Sequence, residues 1–309
     1  MALPPSEPTD AAAAAPSPAE RPVRVQDAAL QRHWRRAEAE ATPAAWLSEE
    51  IARRMADRLA LLRRPPQRIL DWAAPLGASQ ALLRSQCPQA ELIALDREGR
   101  ALPSTASGGW LRRLFTPGSR PATDAAPTGD LLWSNLLLHW VDDLPALLQR
   151  WHQALAVDGL LMFSAFGPDT LRELRGLYAR AGWGSPASAW VDMHDLGDAL
   201  VHAGFADPVM DMERLTLTWD SPAALLAELR TLGLNTDPAR HAGLRTPRWR
   251  QRLEQALSES LRGPDGRLHL SFEIVYGHAL RPEPRPTVAA ETSISLDAMR
   301  EMARRRPPR

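Results

Sequence analysis

Two segments decide the fold: Asp130-Leu-Leu-Trp-Ser-Asn-Leu-Leu-Leu-His-Trp-Val-Asp-Asp-Leu144 and, a helix-length interval later, Asp158-Gly-Leu-Leu-Met-Phe-Ser-Ala-Phe166. Each contains a short apolar run, Leu131 to Trp133 and Leu160 to Phe163, that does not alternate with polar residues. Runs apolar on both faces suit strands buried inside a parallel sheet, and the stretch between them supplies the right-handed helical crossover. In such sheets ligands bind at the carboxyl ends of the strands. Those ends present Ser134, Asn135 and His139 after the first strand, and Phe166 and Gly167 after the second. Taken alone, Ser134 and Asn135 are equally suited to cap the following helix, and His139 to pack beside Trp140 or to act as a base.

Toward the N-terminus, Arg68 to Asp71 reads as a short buried strand ending in an acid, and Ala90 to Asp96 as a second. The loop Trp72 to Ala78 and a helix ending near Cys87-Pro88 join them. Two strand-end acids 25 positions apart fit a nucleotide-binding α/β half: one faces the polar part of a ligand, the next can accept two ribose hydroxyls. Upstream, Trp46, Leu47, Ile51, Met55, Leu59 and Leu62 recur at helical spacing within Val25 to Leu62, and Pro65-Pro66 stops that helix. Residues 99 to 129, rich in Gly, Pro, Ser, Thr and Ala, allow at most a weak third strand, with Trp110 to Phe115 the part most like structure.

Downstream, Pro168 sits in the first turn of a helix running through Arg175, and Asp192 to Ala203 is a helix closed by Gly204. Val209 to Met212 and Leu215 to Trp219 read as strands, Pro222 to Leu232 and Pro247 to Leu261 as helices, and Leu268 to Leu280 as a long last strand. The final strands lack a helical crossover rhythm and predict an antiparallel edge. The expected organisation is a disordered tail over 1–24, one domain over 25–281 and a flexible tail over 282–309.

Composition narrows the function. The 309 residues carry 37 basic and 37 acidic side chains, so there is no bulk electrostatic case for nucleic acid or an anionic membrane surface. Cys87 is the only cysteine and the eight histidines show no HExxH-like spacing, so neither a disulfide nor a metal site is expected. No apolar run approaches the roughly 20 residues that span a bilayer. A soluble, cytoplasmic protein is the expectation.

The element order resembles the class I S-adenosylmethionine-dependent methyltransferases: a Rossmann-like α/β sheet, helices on both faces, and an antiparallel C-terminal edge. Local sequence is more specific. Asp130 to Asn135 with His139-Trp140, Phe166-Gly-Pro-Asp-Thr-Leu-Arg-Glu-Leu-Arg175, Asp192 to Asp198 with Ala203-Gly-Phe205, and Leu229 to Asn235 resemble the BioC family. These are the malonyl-acyl carrier protein O-methyltransferases of biotin synthesis. The Phe166 to Arg175 run is the most discriminating, and the likeness spans roughly 25 to 281.

The resemblance implies S-adenosyl-L-methionine as cofactor, held by Asp71, Ala73, Gly77, Asp96, Ser134 and Asn135. It implies a carrier protein bearing a malonyl thioester as partner, with His139, Arg172 and Arg175 as candidates for binding that substrate. No catalytic residue is singled out, because an ionised carboxylate needs no strong base. The chain departs from the pattern at the loop after the first strand, where families of this kind carry Asp-x-Gly-x-Gly-x-Gly and this chain carries Asp71-Trp-Ala-Ala-Pro-Leu-Gly77. Ala73 adds a methyl, and Pro75 fixes φ near roughly −65° and removes an N–H. Two other functions therefore stay open: a degenerate relative with a binding or assembly role, and a protein-modifying relative of the mitochondrial complex I assembly factor that shares these stretches.

Overall fold

The computed structural model describes residues 46–102, 128–233, 235–241 and 243–284. Both expected tails, the helical expectation over 25–45 and the weak strand at Trp110 to Phe115 lie outside the described residues. Six strands form one sheet in the order β2-β1-β3-β4-β6-β5. β1 (Arg68–Asp71), β2 (Glu91–Ala94), β3 (Gly129–Ser134) and β4 (Leu155–Phe166) run parallel, and β6 (Leu268–Leu280) runs antiparallel to both β4 and β5 (Ala206–Trp219). The chain leaves β1 for β2 on one side and returns to β3 on the other. The crevice between β1 and β3 is therefore the topological switch point where such sheets bind ligands.

Alternate residues of the central strands serve two separate cores, as a strand's two-residue period requires. Ile69, Leu131, Trp133, Met162 and Phe166 face one side, where α1 (Trp46–Ala56), α5 (Arg172–Ala181), α7 (Pro222–Leu232) and α8 (Pro247–Leu261) contribute Ile51, Leu174, Leu225 and Leu257. Leu70, Leu132, Leu161 and Phe163 face the other, against α4 (Leu144–Ala154) and α6 (Met193–His202). This double burial is the reason for the non-alternating apolar runs. Two shorter helices, α2 (Ala74–Gly77) and α3 (Gln80–Gln86), connect β1 to β2.

Three local expectations are corrected. The segments Val209–Met212 and Leu215–Trp219 are one strand, β5, whose Asp211 and Glu213 share the face of Leu215 and Leu217 and are satisfied there by partners from outside the strand. There Asp211 and Glu213 accept ion pairs at 2.7 and 2.6 Å from Arg58 and Arg54 of the leading helix region. The helix expected from Pro168 begins only at Arg172, since Leu171 adopts a left-handed conformation (φ 57°) that no helix can pass through. Ser134 and Asn135 cap nothing: α4 starts ten residues later at Leu144, where the Asp143 side chain accepts from the Ala146 amide.

Candidate active site

The β1–β3 register pairs Asp71 with Trp133 and so sets Asp71 one residue from Ser134 at the switch point. Both side chains are fully buried, and neither the Asp71 carboxylate oxygens nor the Ser134 hydroxyl has a hydrogen-bond partner among the described residues. Burial pushes the Asp71 carboxyl from its ordinary 3.8 up to about 7, with the distant Arg84 charge pulling only weakly the other way. Unpaired buried polar atoms are costly. Asp71 shares the sheet face of Ile69 and Trp133 and Ser134 the opposite face of Leu132, so the two stand at the strand ends on either side of the sheet. A buried carboxylate left in this state suits a ligand that brings an ammonium or similar cationic donor.

The loop that follows keeps the shape of a glycine loop with few glycines. Ala73 stands at φ 58°, ψ 40°, the left-handed conformation that the family glycine supplies without strain. Pro75 falls in the first turn of α2, where its missing N–H and fixed φ do no harm, so no clash with the loop geometry arises. Trp72 laces this loop to the turn after β2. Its indole N–H donates to the Arg97 carbonyl at 3.2 Å, and its ring passes so close to Gly99 that a Cβ there would lie 2.4 Å from it.

Asn135 secures the loop from the other side. Its amide donates to the Gly77 carbonyl at 2.6 Å and to the Ser48 carbonyl of α1 at 2.8 Å, and its oxygen accepts from the Ser164 hydroxyl at 2.6 Å. With its donors and acceptor so engaged, Asn135 is a clamp between β3, β4, α1 and the loop. Asp96 forms a turn: Oδ1 accepts from the amides of Glu98 and Arg100 at 2.9 and 2.8 Å, leaving Oδ2 facing Arg100 at 3.9 Å.

Beside the switch point, at the carboxyl end of β4, a narrow cleft is lined by Leu138, His139, Phe166, Trp190, Val191 and Leu196. His139, in a 3-10 turn over Leu138–Trp140, packs edge-on to Phe166 with centroids 5.0 Å apart. The Trp140 indole N–H donates to His139 Nε2. An indole can only donate, so Nε2 carries the lone pair and the ring proton sits on Nδ1.

The Phe166 to Arg175 run proves to be a turn welded to β6. The Gly167 and Asp169 amides donate to the Glu273 carbonyl (2.9 Å) and carboxylate (2.7 Å), and the Thr170 hydroxyl bridges the Glu273 backbone. A Cβ on Gly167 would lie 2.7 Å from the Glu273 carboxyl carbon, so any larger residue would push the Glu273 side chain out of this arrangement. Glu173 accepts from the Ser271 hydroxyl and amide. Arg175 donates to the Thr170 carbonyl (3.2 Å) and the Ser188 carbonyl (2.5 Å) and stacks over the Trp190 ring at 4.4 Å. Arg172, in contrast, is exposed and pairs with Glu173 and Asp169, away from the cleft.

The structure thus gathers Asp71, Ala73, Gly77, Ser134 and Asn135 at the switch point and puts His139 in the adjoining cleft. Arg175 reaches the cleft only through Trp190. Sequence reasoning missed Ser164, Trp190 and Glu273. The one acid in β6 was the available signal for Glu273, since a buried charge requires partners.

Among known proteins, curated relatives named malonyl-[acyl-carrier protein] O-methyltransferase match the chain, three of them as follows. The protein of Laribacter hongkongensis is 42% identical over 79% of this chain and 85% of its own length. That of Gallionella capsiferriformans is 40% identical over 77% and 85%, and that of a Methylovorus species 37% over 84% and 91%. No protein-family model matches the chain. Identity at this level, over 85–91% of each relative's length, has one consequence: the chain belongs to the malonyl-[acyl-carrier protein] O-methyltransferase family.

Proposed function

We propose that the protein methylates the free carboxylate of a malonyl group carried as a thioester on an acyl carrier protein, using S-adenosyl-L-methionine, as a step of biotin synthesis. The observation that carries this reading is the fully buried, partnerless Asp71 carboxylate at the switch point, beside an apolar cleft whose walls offer the His139 imidazole. When bound, the cofactor supplies a methyl group activated on a cationic sulfur. Asp71 would hold its ammonium, the Ala73 to Gly77 backbone would close on its amino-acid portion, the Ser134 hydroxyl would meet it from the opposite side of the strand ends, and Asp96 Oδ2 would take the ribose hydroxyls. Asn135 holds the loop and not the ligand.

The acceptor carboxylate is ionised at neutral pH, so no base is required. The bound cofactor would supply an electrophilic methyl group to a carboxylate oxygen and would keep the electron pair on its sulfur, so the residues around the acceptor would have no proton to move. Leu138, Phe166, Val191 and Leu196 exclude water from the attacking oxygen, and the His139 Nδ1–H orients the carboxylate by its other oxygen. His139 is on this reading a positioning donor, not a base. We assign the protein to the cytoplasm with a domain over 25–281; no helix among the described residues is long and apolar enough to cross a membrane.

Calorimetric titration with S-adenosylmethionine, followed by mass spectrometry of malonyl-loaded carrier protein, tests the proposal. The carrier protein is expected to gain one CH2. No binding at millimolar cofactor refutes the reading, and binding without ester formation points to a binding or assembly role.

A further inference from the structure

The chain is neutral overall, yet residues 240–252 contain five arginines (240, 245, 248, 250 and 252) and no acid. Arg250 is engaged by Glu254 at 2.8 Å, and the Arg245 guanidinium donates to the Trp183 carbonyl at 2.7 Å while lying over the Trp249 ring. Arg248 and Arg252 are exposed, and no ion pair joins either to an acid among the described residues. One helical turn apart, they share a face of α8. Leu244, just ahead of the helix, is 99% exposed, the most exposed large apolar side chain among the described residues.

The segment ahead of this face is tied to a loop that contributes Trp190 to the rim of the cleft. The chain leading to it is tied to the 183–190 loop by Asn235 (to the Ser185 carbonyl, 3.1 Å) and by Thr236, whose hydroxyl meets that of Ser188 at 2.8 Å. Trp190 at the end of that loop lines the cleft. Arg248 and Arg252 lie within roughly 9 Å of the start of α8, the end joined to that loop.

We infer that Leu244, Arg248 and Arg252 form the docking surface for the acidic carrier protein that delivers the thioester. This rests on the proposed function for the identity of the partner. Unpaired guanidinium groups beside an exposed leucine fit an acidic helical protein surface that offers carboxylates around an apolar spot. They fit single-stranded nucleic acid less well. The aromatic ring in the patch, Trp249, is half-buried, covered on one face by Arg245 and packed at a steep angle to Trp183, and so is a poor platform for a base to stack on.

The test is fluorescence anisotropy of labelled malonyl-loaded carrier protein against the full chain and its R248E/R252E variant at low salt. R248Q/R252Q serves as a milder second variant, and cofactor titration checks that each is folded. The expected result is a rise in Kd of about tenfold or more for charge reversal, less for neutralisation, shrinking as salt is added. Unchanged Kd in both variants overturns the inference, as does an RNA oligonucleotide that binds through these arginines while the carrier protein does not. If the carrier protein docks as expected yet is never methylated, the docking surface stands and the proposed reaction falls.

Discussion

Replacing Asp71 by asparagine should change how stability depends on pH. The carboxyl titrates at about 7 in the folded chain against an ordinary 3.8, because burial without a partner disfavours its charged form. The folded state therefore binds a proton that the unfolded chain has released between those values, and stability falls as pH rises through that window. A shift of about 3 units corresponds to about 4 kcal/mol, fully incurred above pH 7 and absent below about pH 4. The introduced amide cannot ionise, but its buried hydrogens also lack partners, at a cost of about 1–3 kcal/mol. The Asp71→Asn variant should therefore be less stable than wild type near pH 4 and more stable near pH 8, the difference between them moving by about 4 kcal/mol. Urea unfolding of the two proteins from pH 4.5 to 8.5 reads this directly. A difference that stays constant across the range would refute the assignment of an uncompensated buried carboxylate. The same residue predicts that binding of a cationic ligand below pH 7 expels a proton, which calorimetry in buffers of different ionisation enthalpy measures.

Ala73→Gly should stabilise the chain by up to about 1 kcal/mol by relieving the left-handed backbone, without loss of cofactor affinity; destabilisation in urea would contradict the φ of 58°. Asn135→Ala should cost about 2–4 kcal/mol, since it strips partners from the Ser48 and Gly77 carbonyls and the Ser164 hydroxyl, and proteolysis should then reach α1 first. Trp140→Phe removes the donor that fixes the His139 tautomer and should lower kcat about tenfold with cofactor binding intact; unchanged kcat would remove His139 from the positioning role.

The fold was legible where burial is two-sided. Leu131 to Trp133 and Leu160 to Phe163 announce central strands because both sheet faces are covered, and the strand-end acids mark the switch point. What sequence could not disclose was long-range polar pairing. Asp211 and Glu213 resemble a break in a strand because their partners, Arg58 and Arg54, lie more than 150 positions away. Ser134 and Asn135 resemble caps because capping is local chemistry, whereas Asn135 commits its hydrogen bonds to Ser48, Gly77 and Ser164. The loop looks damaged in sequence because counting glycines ignores that alanine can occupy a left-handed position at modest cost, and that proline is welcome in a first helical turn.

The turn from Phe166 to Arg175 bears on how such chains are recognised. Most of its polar groups and its one glycine answer to Glu273, Ser271 or Ser188, not to anything entering the cleft. Selection on a change of acceptor would leave those residues untouched, since altering any one of them unseats the strand beside it. The run is thus a marker of ancestry, inherited for mechanical reasons. Recognition by this run therefore reads the strand it is fastened to, while the acceptor must be read from the side chains that line the cleft.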